Sequence, residues 1–426
     1  MTPTLTPDGM HLPGSPSPLD ADGTRLPSSA TPLANPGGSG GQVTTTGAAI
    51  GEGGEAERLA RVGLGRVIEP GDLTALKAFE GLGVMEMWER LRRKEPGTER
   101  WATRMATVEP ERDLERAAAV GARFVIPGDS EWPEQVDVLA EAGQLARRAG
   151  VPFGLWVRGS ARLRQALESS VAIVGARACS SYGSHVAGEL AAGLSAKGFT
   201  VVSGGAYGID AAAHRGALAV AGVTIAVLAC GVDKAYPRSN AALFSRIVEQ
   251  GLVVSELSPG CSPSKLRFLA RNRLIAAASQ GTVVVEAAVR SGALNSAGWA
   301  EQCGRPVLAV PGPITSRMSE GSHVLIRERD AVLVTDVEEI IEAVSPLGTA
   351  LTSYRHAPTT PFDNLPDDLR RTLEAVPVRT PAATHRIAIT AGLDLPTTEG
   401  ALEDLAALNL VHPYPTGWCL TRPDTE

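Results

Sequence analysis

The chain predicts an α/β protein built on a doubly wound, mostly parallel sheet with smaller units at either end. Short runs rich in Val and Ile recur between about Phe153 and Val344, at Val171–Val174, Thr200–Val202, Thr224–Leu228, Val253–Ser255, Thr282–Glu286, Val307–Val310 and Ala331–Val334. Most are continuously apolar rather than alternating, the pattern of strands covered on both faces. The segments between them are long enough for crossover helices, and regular alternation of the two predicts parallel pairing.

Residues 1–54 are dominated by Pro, Gly, Ser and Thr, a composition unable to offset its ordering entropy by burial, so a disordered tail is expected. Over 55–115, Leu59 and Val62, then Leu73, Leu76 and Phe79, then Met87, Trp88 and Leu91 fall at helical spacing between glycine-containing breaks and predict a small helical domain. The main domain is expected over 116–345, opening with a strand at Ala122–Ile126 and a turn at Pro127-Gly-Asp129. A Pro/Thr linker over 346–361 leads to a small unit over 362–426. There, Leu369, Leu373 and Val376 mark one helix, His385 to Ala391 a second, Leu402, Leu405 and Leu408 a third, and Leu410 to Leu420 a hairpin about Pro415-Thr-Gly417.

Composition excludes several classes. At 426 residues and 43% hydrophobic content, the chain is long enough for two or three domains with a sizeable core. Its five cysteines are odd in number, scattered and free of any C-x-x-C pair, which predicts a reducing cytoplasm and neither structural zinc nor a disulfide framework. No secretory signal is read at the N-terminus, and the longest uncharged apolar run, Leu218 to Val232, is too short for a membrane span and broken by Gly222 and Gly231. A net charge of -7 argues against coating nucleic acid non-specifically, though a local basic groove is compatible with it.

In a doubly wound sheet, ligands sit at the carboxyl ends of the strands. Three of those ends carry glycine loops: Gly175-Ala-Arg177, Ser203-Gly-Gly-Ala-Tyr-Gly-Ile-Asp210 and Cys230-Gly-Val-Asp-Lys-Ala-Tyr-Pro-Arg238. Glycine lets backbone N–H groups approach an anion, and a helix opening near Asp210 would add its positive end. Tight strand-to-helix turns would read the same way. Neither loop is G-x-G-x-x-G, because Ala206 stands where the second glycine should be, and no G-x-x-x-x-G-K-[ST] occurs. Dinucleotide and P-loop ATP binding are therefore not expected, and no cofactor is. His185, His214, Asp210, Asp233 and Glu286 form no recognisable nucleophile, base and orienter set, and His214 reads as a structural hydrogen-bonding partner rather than a metal ligand.

One stretch stands against the overall acidity. Between Ser264 and Ile275, Lys265, Arg267, Arg271 and Arg273 gather around Phe268 with no acid among them. Ser262-Pro-Ser-Lys is helix-start chemistry, and Leu266, Leu269, Ala270, Leu274, Ala277 and Ala278 give an apolar side. Arg267 and Arg271 then stand one turn apart, where two guanidinium forks suit successive phosphates and Phe268 could stack a base. The other reading is a solvated helix face with Phe268 in the core.

The same residues carry a family resemblance. Val171-Ala-Ile-Val-Gly-Ala-Arg177, Ser203 to His214, Tyr236-Pro-Arg-Ser-Asn240, Ser255-Glu, Pro259-Gly260, Phe268-Leu-Ala-Arg-Asn-Arg273, Val285-Glu-Ala287, Ser291-Gly-Ala-Leu-Asn-Ser-Ala297 and Val310-Pro-Gly312 resemble, in order, the motif series of the DNA processing protein A (DprA/Smf) family. The resemblance implies an extended Rossmann-like domain, a SAM-like helical domain before it and a winged-helix-like domain after it. It implies a homodimer that binds single-stranded DNA in natural transformation, protects incoming strands and loads the RecA recombinase, with no catalytic residues and no metal. Carried over by position, Arg177, Lys265, Arg267, Phe268, Arg271, Asn272 and Arg273 become DNA contacts, and Gly175, Ser203, Gly204 and Gly205 meet phosphate through backbone or small side chains. The chain departs from the family pattern at Tyr207, where an Arg is common, which puts one phosphate contact in doubt. It departs again at His323, where Asn is frequent, and that change reads as structural.

Winged helices often read DNA through their third helix. Here that helix carries Glu399, Glu403 and Asp404 and no Lys or Arg, so the unit is expected not to bind duplex and to serve regulation or protein contact. Two other classes stay open: a nucleotide-processing hydrolase of the lysine-decarboxylase-like group, of whose signature only Gly281 to Glu286 resembles a part, and a protein-interaction scaffold whose basic stretch is paired internally.

Overall fold

In the computed structural model, residues 52–346 and 365–421 are described. The expected tail lies outside them except for its last residues, which begin a helix, and the expected linker lies outside them except for Pro346. Among the described residues no helix is long and apolar enough to cross a membrane.

Five helices come first: α1 (Glu52–Val67), α2 (Leu73–Ala78), α3 (Val84–Arg92), α4 (Ala102–Met105) and α5 (Pro110–Ala119). Asp72 caps α2 by accepting from the Thr74 N–H, and Pro110 opens α5, where its missing N–H costs nothing. Leu64, Phe79, Met87, Leu91 and Trp101 close a core of their own, with the Phe79 and Trp101 rings 5.2 Å apart. The boundary expected at 115 falls inside α5, because Ala117 packs with Val62 of α1 and Phe124 into the core of the sheet.

The sheet has nine strands: β1 (Ala122–Val125), β2 (Leu155–Arg158), β3 (Ser170–Val174), β4 (Thr200–Ser203), β5 (Thr224–Val227), β6 (Leu252–Ser255), β7 (Gly281–Val284), β8 (Val307–Ala309) and β9 (Val332–Leu333). Their order is β1-β2-β6-β5-β4-β3-β7-β8-β9; β2 pairs antiparallel with both β1 and β6, and the remaining pairs are parallel. β2 is the strand its own residues did not announce. Four residues between Gly154 and Gly159, ending in a charged side chain, become a strand through antiparallel pairing with both β1 and β6.

Strand periodicity sorts the side chains onto two cores. Ala172 and Val174 face α6 (Leu163–Glu168), α10 (Lys265–Ala278), α11 (Gly292–Gln302) and α12 (Glu320–Glu328), whereas Val171 and Ile173 face α7 (Ser181–Ala196), α8 (Ile209–Ala219) and α13 (Val337–Val344). The helix α9 (Ala241–Gln250) covers the β5–β6 side of the second face. From β3 the chain winds outward through β4, β5 and β6, then returns by α10 to β7 on the other side of β3. The order reverses between β3 and β7, and a crevice is expected at the carboxyl ends of those two strands.

The last described unit holds α14 (Asp367–Ala375), α15 (Thr384–Ala391), α16 (Leu395–Ala407) and a hairpin of β10 (Val411–Tyr414) and β11 (Gly417–Leu420). Leu369, Leu373, Ile387, Leu402, Leu405 and Val411 form its core. Gly392, at φ +66°, ends α15 in the left-handed conformation, and Asp394 caps α16 by accepting from the Thr397 N–H at 2.9 Å. Three helices and a hairpin give the winged-helix-like arrangement expected. Glu399, Glu403 and Asp404 are all exposed on α16.

Candidate nucleic-acid interface

A cavity of about 680 Å³ opens at the crevice predicted by the strand order. Its floor begins where β3 ends. A Cβ at Gly175 would stand 2.5 Å from Ile209 Cγ1 and 2.9 Å from the Glu286 carbonyl, so only glycine lets the backbone pass between α8 and the end of β7. The loop then lifts Arg177 to the surface, exposed and without an ion pair among the described residues. Its Cζ lies 4.7 Å from the centroid of the Phe268 ring on α10, a cation–π distance, and Tyr236 packs on that ring at 5.7 Å and 51°.

The cations of α10 have different fates. Ser264 caps the helix by accepting from the Arg267 N–H at 3.3 Å, which sets Lys265 and Phe268 on the cavity wall; Lys265 is exposed and Phe268 half-buried. Arg267 points away from the cavity. It makes a bidentate ion pair with Glu69, at 2.9 and 2.8 Å, and donates to the Ser262 carbonyl at 2.6 Å. Burial pushes the Glu69 carboxyl up, but the Arg267 hydrogen bonds and charge, with Arg104, hold it below its ordinary value. Arg273 is 0% exposed, bidentate to Glu256 at 2.7 and 2.8 Å and bonded to the Gly150 carbonyl at 3.0 Å. It is no surface cation, and its expected DNA contact is corrected to a buried clamp between α10 and the loop after β6.

Arg271 is intermediate. It lines the cavity and its Cζ sits 5.9 Å from the Phe268 centroid, yet the residue is only 7% exposed, and Nη1 donates to the Val227 carbonyl at 3.0 Å. Gly204 makes this possible, since a Cβ there would lie 1.5 Å from Nη1. Burial lowers the Arg271 pKa, the Asp210 charge opposes that fall, and the Arg177 charge adds to it. Asp210, itself buried in the cavity wall, has its pKa raised by burial against the pull of Arg271 and of the Ala206 N–H at 3.3 Å. Asn272 also lines the cavity and donates to Asn295 Oδ1 at 3.1 Å, tying α10 to α11.

The second and third glycine loops do less at the cavity than their sequences suggested. Ser203 is fully buried and donates to the Ile173 carbonyl at 2.6 Å; Gly204 is occupied by the Arg271 side chain; Gly205, at φ +64°, packs on Phe244. Protein covers all three, so they shape the site rather than meet a phosphate. Tyr207 accepts from the Ser239 hydroxyl at 3.1 Å, outside the cavity. Asp233 accepts from the Gly260 N–H at 2.9 Å and Lys234 donates to the Gly260 carbonyl at 2.7 Å, leaving Tyr236 as that loop's contribution to the cavity.

Sequence reasoning left the far wall unassigned. Ser291, Gly292, Ala293 and Ser296 of α11 line it, with Ala288 and Met318 at its rim. Ser291-Gly-Ala is helix-start chemistry, and the Ser291 hydroxyl accepts from the Ala293 N–H at 3.2 Å, so the cavity receives the positive ends of both α10 and α11.

Glu286 and His214, two of the candidate catalytic groups, are spoken for. Both Glu286 oxygens are held by Ser180, Oε2 by its N–H at 2.9 Å and Oε1 by its hydroxyl at 2.5 Å, where α7 begins. His214 is fully buried 2.7 Å from the Thr224 hydroxyl. Because that hydroxyl donates to the Val201 carbonyl, Nδ1 of His214 carries a proton; burial, with the Arg271 and Arg215 charges, brings the pKa down to about 3, which keeps the ring neutral. His323 bonds the Gly312 carbonyl at 3.0 Å, a structural role as expected. Among the described residues no group of His, Cys, Asp and Glu could hold a metal ion.

Fold and cavity together define a Rossmann-like protein with a cationic, aromatic site at the topological switch point. The chain belongs to the DprA/Smf family: the family model described as DNA recombination-mediator protein A matches residues 123–345. A Mycobacterium tuberculosis protein named as a DNA processing protein, DprA, is 42% identical over 364 residues, covering 84% of this chain and 93% of that one. Protein Smf of Escherichia coli is 42% identical over 219 residues, covering 51% of this chain and 56% of its own. The X-ray structure of DNA processing protein A from Streptococcus pneumoniae superposes with a TM-score of 0.54 at 29% identity, covering 67% of this chain and 96% of that chain.

Proposed function

We propose that the chain binds single-stranded DNA in the cavity between the ends of β3 and β7, protects incoming strands during natural transformation and loads RecA onto them, acting as a homodimer. The observation that carries the DNA reading is Arg177 stacked on Phe268 at 4.7 Å beside a 680 Å³ cavity that also receives Lys265 and Arg271. Arg177 and Arg271 flank one ring, and the two like charges repel, a repulsion that a phosphate would relieve. An unpaired strand can turn a base toward Phe268 and Tyr236, whereas a duplex keeps its bases stacked inside. The DNA-processing names of the relatives support a role in transformation; RecA loading and dimerisation rest on the family resemblance.

The test is a salt series of oligo-dT and duplex binding. Affinity for the single strand should fall steeply with salt and exceed that for duplex, consistent with the acidic surface of α16. Arg177→Ala should weaken oligo-dT binding about 5-fold or more at 0.1 M salt, the worth of one neutralised phosphate, while unfolding at the parent's midpoint. Parent-like binding by the folded variant would mean the strand runs elsewhere.

A further inference from the structure

The cations that the DNA reading uses all lie on one side of the cavity, on the loop after β3 and on α10. Opposite them, two loops are hydrogen-bonded side by side. The Ala287 N–H donates to the Met318 carbonyl at 2.7 Å, and the Gly321 N–H donates back to the Ala287 carbonyl at 2.7 Å. Ala288 and Ser291 on one loop and Met318 on the other line the cavity, so this pair of loops is its far rim. Anchors hold the rim in place: the Tyr182 hydroxyl donates to the Pro311 carbonyl at 2.7 Å, the Ser291 N–H to the Ala288 carbonyl at 2.9 Å, and the Ser316 N–H to the Pro313 carbonyl at 3.0 Å.

What the rim displays is unlike ordinary loop surface. Arg290 and Arg317 are both exposed, and neither has an ion pair or hydrogen bond among the described residues, in a chain whose other arginines are mostly paired. Beside them, Val289 is 52% exposed and Ile314 is 91% exposed. The carboxylate nearest in sequence is Glu320, the first residue of α12, where it complements the positive end of that helix. Two unpaired guanidiniums and two exposed aliphatic side chains on one pair of joined loops are the composition of a surface that grips a sugar-phosphate backbone and rests on unstacked bases.

We infer that Arg290, Arg317 and the exposed Ile314 form a second DNA-binding wall, so that a single strand leaving the Arg177–Phe268 wall crosses the cavity and continues over this rim. The inference rests on the proposed single-strand reading and extends its footprint from one wall to two. Its consequence is a dependence on strand length. A short strand fills the cavity and touches the first wall, and only a longer one reaches the second.

The experiment compares oligo-dT of about 4 and about 20 nucleotides, spanning the site sizes usual for single-strand binders, on the full chain, on Arg290→Ala/Arg317→Ala and on Arg177→Ala. The double variant should lose about 25-fold in affinity for the long strand at 0.1 M salt, about 5-fold per phosphate contact, and flatten its log–log salt slope by about 1.4. Its binding of the short strand should match the parent, and Arg290→Lys/Arg317→Lys should restore the slope. If the double variant binds the long strand like the parent while Arg177→Ala is impaired, the second wall is wrong and the first stands. If Arg177→Ala is also unimpaired on both lengths, the strand runs elsewhere and the proposed site fails with both walls, whereas a parent that does not bind oligo-dT would sink the single-strand reading itself. Equal losses on short and long strands would overturn the length-dependent path.

Discussion

The rim of the cavity and the protein behind it both carry basic side chains and use them in opposite ways. On the rim, Arg177 and Lys265 are exposed and unpaired, and their free energy is available to a ligand. Behind the cavity wall, Arg273 is committed to Glu256, while Arg271, in the wall itself, gives one N–H to the Val227 carbonyl beside Gly204. The difference is one of accounting for charge. A guanidinium held as Arg273 is has its donors taken by protein, so removing it damages the fold; an exposed one has donors to spare, so removing it damages binding.

The sharpest way to break that comparison is to exchange the roles. Arg273→Ala leaves Glu256 buried without its partner, and the expected cost is about 3–5 kcal/mol of stability, read as a lowered urea midpoint at unchanged slope. Oligo-dT affinity, measured under conditions where the variant is folded, should stay within about 2-fold of the parent, less than the loss of one phosphate contact. A variant that keeps its midpoint but loses DNA affinity would move Arg273 to the rim.

The protein interior should also respond to pH. The His214 pKa, about 3 in the folded chain, lies below the ordinary value of 6.5, so the unfolded chain takes up the proton first. The stability of neutral His214 is therefore fully present above pH 6.5 and is lost as pH falls from there toward 3. One proton corresponds to about 1.4 kcal/mol per pH unit. The difference in unfolding free energy between the parent and His214→Gln should shrink by that slope between pH 6 and 5 (roughly one unit of titration). A difference flat across this range would show that His214 is not held neutral by its surroundings.

Much of this arrangement was legible in the chain because it follows from local rules. Strands covered on both faces announce themselves as runs such as Val171-Ala-Ile-Val174, and the order of loops after them locates the crevice. The absence of acids between Lys265 and Arg273 was visible too, but not the fate of each cation. Arg267 and Arg273 find Glu69 and Glu256, respectively 198 and 17 residues away, and no spacing rule reaches that far. The same limit applied to Ser203, Gly204 and Gly205: their glycines signalled close approach, and the approaching groups are Arg271 and Phe244 rather than an anion. β2 was missed because its strand character comes from its neighbours.

A third effect, on binding rather than stability, falls on the residue that joins the rim to the cavity wall. Phe268 is half-buried, with Arg177 over its ring, Arg271 beside it and Tyr236 packed on it, so it supports the rim cation and offers the strand a stacking surface. Phe268→Leu keeps the apolar volume and removes the π face. Stability should then change by less than about 1.5 kcal/mol, while oligo-dT binding weakens by about 1–3 kcal/mol, the usual worth of one stacked base. Because the charges are untouched, the salt slope should stay that of the parent, which separates this loss from the loss in Arg177→Ala, where the slope falls. A lowered slope in Phe268→Leu would mean that the ring acts by holding Arg177 in place, and an unchanged affinity would mean that the bases face away from it.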